Sequence, residues 1–157
     1  MLLSEVFPPE LIKVGLEAET KEEVFEEMVD QFCNVLKPII REDIIEALYE
    51  RELKMSTGIF NGIAIPHCKT NVIENTHGVL GISRKGISYN ALDGQPVYLL
   101  FMFLSPQNDS EKYLWLLKCL SNLLENPRFY SELLEQKNAE GVHEILKKYE
   151  DIFIQSC

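Results

Sequence analysis

Apolar residues recur along this chain with two alternating periods, and the switches between them divide it into elements. Val24, Phe25, Met28, Val29, Phe32, Cys33 and Leu36 fall on one face at helical spacing. They follow Thr20-Lys21-Glu22-Glu23, which has the Thr-x-x-Glu pattern of a capping box, and Pro38 stops the run. The spacing predicts a second amphipathic helix from Arg41 to about Lys54 through Ile44, Ile45, Leu48 and Tyr49. Arg51 lies in its last turn, where a cation complements the negative helix end. Ile63 to Ile65, Gly78 to Ser83 and Val97 to Leu104 are expected strands, separated by the turn signals Lys85-Gly86 and Asp93-Gly94. After Pro106 helical spacing returns at Tyr113, Leu114, Leu116, Leu117, Leu120, Leu123 and Leu124, ending near Asn126-Pro127. Shorter helices are expected near Arg128 to Glu135 and Glu140 to Tyr149. Alternation of this kind favours an α/β fold, with a central mixed β-sheet flanked by helices on both faces.

Size and composition bound that expectation without changing it. A chain of 157 residues with 46% apolar content fits one domain, 1–157, and no internal repeat argues for two. The longest wholly apolar run, Val97 to Leu104, has eight residues, well short of the ~18 that span a bilayer, so it reads as a buried strand and no membrane insertion is expected. Met1-Leu2-Leu3-Ser4-Glu5 lacks the basic start and long apolar stretch of a secretion signal, and a cytoplasmic location is expected. The formal net charge of −10 disfavours nonspecific binding to nucleic acid or an anionic membrane and suits a basic protein partner, although surplus carboxylates equally serve solubility. Cys33, Cys68, Cys119 and Cys157 show neither a Cys-x-x-Cys pair nor metal-finger spacing. Reduced thiols are therefore expected, with no metal site, and nothing in the chain calls for a nucleotide or other cofactor.

The strongest chemical signal is Ser56-Thr57-Gly58-Ile59-Phe60-Asn61-Gly62-Ile63-Ala64-Ile65-Pro66-His67. Pro66 fixes its own φ and biases Ile65 toward extended geometry, so the Ile63-Ala64-Ile65 strand is expected to stop where His67 begins, at a strand edge. An imidazole with an ordinary pKa near ~6.5 is mostly neutral at pH 7 and offers a lone pair for attack without an activating base. A phosphoryl group placed on it brings up to about two negative charges, and Arg51, Lys54 and Lys69 flank the segment. Ser56 and Thr57 add hydroxyls, and the glycine-rich loop adds N–H groups able to form an anion-binding concavity; the same hydroxyls equally serve as turn residues. A histidine beside a core strand also has an ordinary structural use. Cys68 follows His67 directly, and adjacent side chains of an extended segment point to opposite sides, which argues against a cysteine–histidine pair. His77, in an expected loop, and His143, in the last expected helix, read as solvated or structural.

The word Gly62-Ile63-Ala64-Ile65-Pro66-His67, with Arg51-Glu52 upstream and Ser56-Thr57-Gly58, closely resembles the signature of the fructose/mannitol-type EIIA proteins of the bacterial phosphoenolpyruvate-dependent phosphotransferase system, and the nitrogen-regulatory EIIA branch looks nearest. The resemblance continues through Ala91-Leu92-Asp93-Gly94-Gln95-Pro96-Val97 and the helix near Ser110, over about residues 5–148. It implies the EIIA fold, a mixed sheet of about five strands with the active histidine at one end. It also implies a phosphotransferase in which His67 accepts a phosphoryl group from the phosphocarrier protein HPr, Arg51 helps hold the phosphate, and Ser56, Thr57 and the loop N–H groups assist. The group is then passed to an EIIB domain or retained as a signal to a regulated target protein, and a homodimer is compatible with this. Two positions depart from the family pattern. Phe60 stands where relatives usually carry Gly or Ala and could cover the pocket, and Tyr113 falls where many carry a second active-site histidine. A phenol can donate one hydrogen bond to phosphate but cannot share a proton as imidazole does near neutrality. A ring packed on the core is its equal alternative use. Both departures, with the absence of an EIIB or membrane segment in the chain, favour regulation over sugar transport. An unphosphorylated interaction protein on the same fold is the remaining alternative.

Overall fold

The computed structural model describes residues 2–36 and 41–156, so Pro38 lies outside the described residues. In chain order the elements are α1 (Leu3–Val6), a 3-10 turn (Pro9–Leu11), β1 (Ile12–Val14), α2 (Lys21–Val35), α3 (Arg41–Lys54), β2 (Ile63–Ala64), β3 (His67–Thr70), β4 (His77–Ile87), β5 (Val97–Pro106), α4 (Ser110–Leu124), α5 (Pro127–Glu135) and α6 (Ala139–Ser156). The fold is the expected mixed α/β one, with a five-stranded sheet ordered β1-β4-β5-β2 and β3 also paired to β5. β1 runs parallel to β4, β4 antiparallel to β5, and β2 and β3 both parallel to β5.

Helix starts follow their capping chemistry. Thr20 accepts from the N–H of Glu23, but the Glu23 carboxylate accepts from Glu19 rather than Thr20, a capping box displaced by one residue. Asp109 and Asn126 cap α4 and α5, and Pro127 occupies the first turn of α5, where its missing N–H costs nothing.

Alternation along β5 divides the core. Leu99, Phe101 and Phe103 pack with α1, α4, α5 and α6, while Leu100, Met102 and Leu104 pack with α2 and α3. This burial on both sides explains why β5 is a continuous apolar run.

Three expectations change. Lys85-Gly86 is not a turn: β4 continues through it to Ile87, with a register shift between Ile82 and Ile87 and Gly86 at φ +89°. His77 opens β4 instead of lying in a loop, and its ring packs edge-on to Phe32. Pro66 interrupts the edge strand without ending it, because the Pro66 carbonyl accepts from Phe103 N–H and pairing with β5 resumes at His67. The short β1 and α1 carry too few residues for a periodic pattern and were not foreseen.

Candidate active site: a histidine held at both ring nitrogens

Because β2 and β3 continue one line along β5, Ile63, Ile65 and His67 point to the same face, toward α4. His67 lies opposite Phe103 in the ladder and stacks on its ring, centroids 5.2 Å apart and planes within 8°. Tyr113 of α4 meets the imidazole edge-on at 5.5 Å. The histidine is 6% exposed.

Its two nitrogens have different partners. Nδ1 lies 2.6 Å from the Ile65 carbonyl oxygen, which can only accept, so Nδ1 carries the proton and donates it. Nε2 is left with its lone pair, toward which the Nε–H of Arg51 points from 3.3 Å. Burial lowers the pKa of the ring, the Ile65 bond pulls it up, the Arg51 charge adds to the lowering and Glu52 opposes it; the net shift is downward. At neutral pH the ring is therefore uncharged with Nε2 free of hydrogen, the state a nucleophile needs.

Arg51 comes from the last turn of α3, which packs on β3, and a second bond from its Nη1 to the Met55 carbonyl, 3.0 Å, steadies the guanidinium. It lines a cleft with Lys54, Lys69, Gln107 and Tyr113. Lys69 reaches α4, donating to Ser110 Oγ at 2.9 Å, and its ammonium sits 4.8 Å from the centre of the Tyr113 ring. Burial raises the Tyr113 pKa, so the phenol stays protonated, and Arg51 interacts with its oxygen. The structure thus brings together His67, Arg51, Lys54, Lys69 and Tyr113. A larger cleft, lined by Glu19, Lys85, Ser88, Asn90 and Gln95 among others, lies beyond the opposite end of β5 and contains no histidine or cysteine.

The 56–62 loop is where sequence expectation and structure part. Thr57 N–H and hydroxyl both donate to Glu52, at 2.9 and 2.6 Å, so this hydroxyl is committed to a buried network and is not presented to a phosphate at His67. Ser56 Oγ accepts from Gly58 N–H, a local turn bond, and the Ile59 N–H is taken by the Ile63 carbonyl. With the Thr57, Gly58 and Ile59 N–H groups spent inside the loop, these three donors form no anion-binding concavity. Gly58 is required for another reason: a Cβ there would lie 2.7 Å from the Tyr89 ring and 2.8 Å from Ala91 Cβ. Phe60 does not cover the pocket either. It sits in the turn before β2, whose pairing with Leu99 lies four ladder positions from the His67–Phe103 pair, roughly 13 Å at ~3.3 Å per residue. Its ring is 44% exposed.

Cys68 faces the α2–α3 side of the sheet, as the alternation required, and burial pushes its thiol up to about 12, which leaves it without thiolate at neutral pH. His143 on α6 donates from Nε2 to the Ser4 carbonyl, a structural bond. Among the described residues no cluster of His, Cys, Asp and Glu could hold a metal ion, and no helix is long and apolar enough to cross a membrane. Phe103 and the Ile65 carbonyl escaped sequence reasoning. One needs the strand register and the other is main chain, which leaves no side-chain signal.

Comparison with known proteins agrees with this geometry. Residues 5–149 match the family model described as phosphoenolpyruvate-dependent sugar phosphotransferase system, EIIA 2. A fructose-specific EIIABC component of Bacillus subtilis is 35% identical over 150 residues; the match covers 96% of this chain and 24% of that one, so the chain spans about a quarter of that relative's length. A fructose-specific EIIA component of Haloferax volcanii is 33% identical over 144 residues, covering 92% of this chain and 94% of that one. Among solved structures, the nitrogen regulatory protein IIA-Ntr of Neisseria meningitidis superposes with a TM-score of 0.85 at 29% identity, covering 92% of this chain and 98% of the other.

Proposed function

The chain belongs to the EIIA 2 family of the phosphoenolpyruvate-dependent sugar phosphotransferase system, whose members are phosphotransfer components, and from that premise we propose that His67 is its phosphoryl carrier, loaded on Nε2 by phosphorylated HPr. One observation carries this reading: the ring is neutral, with its proton held at Nδ1 by the Ile65 carbonyl and a bare Nε2 beside a cation.

In the transfer, the Nε2 lone pair attacks the phosphorus of the donor phosphohistidine in line. The new N–P bond forms as the donor's N–P bond breaks, and the leaving imidazole keeps the bonding pair. The Nδ1 proton stays on its hydrogen bond, so the positive charge that develops on the accepting ring is met by a carbonyl oxygen already in place. Arg51 turns from Nε2 to a phosphoryl oxygen, since a fixed fork of donors suits phosphate, with the Tyr113 hydroxyl beside it and Lys54 and Lys69 neutralising charge across the cleft. The Thr57 hydroxyl, committed to Glu52, takes no direct part, whereas the Ser56 hydroxyl only accepts from Gly58 N–H and keeps its own proton to donate. No metal or nucleotide enters the step.

The regulatory role, in which the phosphorylation state of His67 selects a target protein, is supported by the likeness to IIA-Ntr and by Tyr113, which brings no second titrating imidazole to the pocket. A second reading, delivery of the phosphoryl group to a fructose-type EIIB, is supported by the identity with the two fructose-specific relatives. The test is incubation with phosphoenolpyruvate, enzyme I and HPr, followed by intact mass beside His67→Ala. One acid-labile phosphoryl group, absent from the variant, is the expected result, and no gain with a cognate HPr overturns the proposal. Onward transfer to a fructose-type EIIB and its sugar would establish the second reading over the first.

A further inference from the structure

The most heavily bonded buried group outside the cleft is the carboxylate of Glu52, one residue after Arg51. It is 8% exposed and accepts three donors: the Lys21 ammonium at 2.9 Å, the Thr57 N–H at 2.9 Å and the Thr57 hydroxyl at 2.6 Å. Because Thr57 gives its own proton to Glu52, the bond of 2.7 Å between Thr57 Oγ1 and the Tyr89 hydroxyl has Tyr89 as donor. Burying a carboxylate is costly, and three donors, one of them an ammonium, offset that cost and make the network stiff.

Thr57 does not end the connection. Its carbonyl accepts from Ile65 N–H at 2.9 Å, and the Ile65 carbonyl accepts from Nδ1–H of His67 at 2.6 Å. The last turn of α3 is therefore connected to both sides of the ring: Arg51 meets Nε2 directly, and Glu52 reaches Nδ1 through Thr57 and Ile65. We propose that Glu52 is a positioning residue for His67, holding the Ile65 carbonyl where it fixes the Nδ1–H tautomer and keeps Nε2 bare. If the carbonyl shifts, the Nδ1 proton loses its acceptor and can reside on Nε2, where it blocks attack. The inference rests on His67 as the phosphoryl carrier, but the tautomer can be read in the unphosphorylated protein.

The experiment compares wild type, Glu52→Gln, Thr57→Val and Thr57→Ser at pH 8. Long-range proton–nitrogen correlation of the 15N-labelled histidine rings reports the tautomer, and HPr-dependent labelling reports the rate. The wild type is expected to show protonated Nδ1 and bare Nε2. Glu52→Gln moves the ring toward a mixture of tautomers and slows labelling about 10- to 100-fold, the range for losing the group that orients a functional histidine. Thr57→Val moves both in the same direction by less, and Thr57→Ser restores both. Loss of packing alone would lower stability without moving the tautomer. Thr57→Val retains the Lys21–Glu52 pair and decides the matter if Glu52→Gln does not fold: an unchanged tautomer and rate in that variant overturns the proposal. A wild type with the expected tautomer that takes no phosphoryl group would remove the carrier reading and leave the positioning result standing.

Discussion

Replacing Arg51 by alanine separates the two roles proposed for the guanidinium at His67. Its Nε–H lies 3.3 Å from Nε2, which puts a cation beside the position proposed for the phosphoryl group. A hydrogen bond to a charged group contributes about 1.5–3 kcal/mol. At ~1.4 kcal/mol per factor of ten, Arg51→Ala should slow phosphoryl acceptance about 10- to 100-fold. Folding should suffer little, because Arg51 is only partly buried and its bond to the Met55 carbonyl is open to solvent. The second role is electrostatic: the Arg51 charge helps to lower the His67 pKa, so its removal moves that pKa back up. Near pH 6 this adds a protonated, unreactive fraction and exaggerates the rate loss. The assay is therefore single-turnover transfer from phosphorylated HPr at pH 8, where both proteins hold a neutral imidazole, with urea unfolding alongside. Arg51→Lys should fall between the two, since it keeps the charge and loses the fork. Transfer by Arg51→Ala at the wild-type rate at pH 8 would refute a direct role in holding phosphate, and a defect confined to pH 6 would reduce Arg51 to a modulator of the ring.

Burial also sets a pH signature. Acceptance by wild type should hold as pH falls through 6.5 and decline only at a midpoint below that value, read by rate and by His67 ring shifts; a midpoint above 6.5 would contradict the assigned environment. Below pH 6.5 the unfolded chain binds more protons than the folded one at His67 and His77, both lowered by burial, so urea stability should fall with pH from 6.5 toward the folded-state values. Phe60→Ser should leave the transfer rate unchanged, the ring being exposed and distant from His67, and a clear change in rate would show that the turn reaches the site. Gly62→Ala should cost at least about 1–2 kcal/mol in urea unfolding from its φ of +81°, and more than Gly94→Ala at φ +73°, because a Cβ at 62 meets the Tyr130 hydroxyl at 2.8 Å while one at 94 meets nothing.

The legible parts of the site were those where side-chain type and chain position carry the chemistry. His67 behind Pro66, and Arg51 at a helix end one loop away, were visible because strand, breaker and capping rules act locally. Thr57 shows the failure. Its hydroxyl suits phosphate as well as it suits a turn, and only the position of Glu52, Lys21 and Tyr89, drawn from α2, α3 and the segment after β4, shows that it is occupied. Tyr113 was open between a core and a pocket role, and it serves both: its ring packs on Phe103 and His67 while it lines the cleft.

By itself the sequence determined the long helices, the apolar cores of the central strands and their buried faces, because periodicity of apolar side chains and the geometry of Pro, Gly and capping residues act over a few residues. It also determined which histidine has cations for neighbours and which cysteine faces away from it. The tertiary structure alone decided that β2 and β3 form one interrupted strand along β5, and so that Phe103 lies under the imidazole. It alone decided that Nδ1 carries the proton, since the acceptor is a main-chain carbonyl of a kind every residue possesses. The reason is physical: desolvation, tautomer and pKa depend on which groups long-range packing brings within a few ångströms, and sequence spacing does not encode that distance.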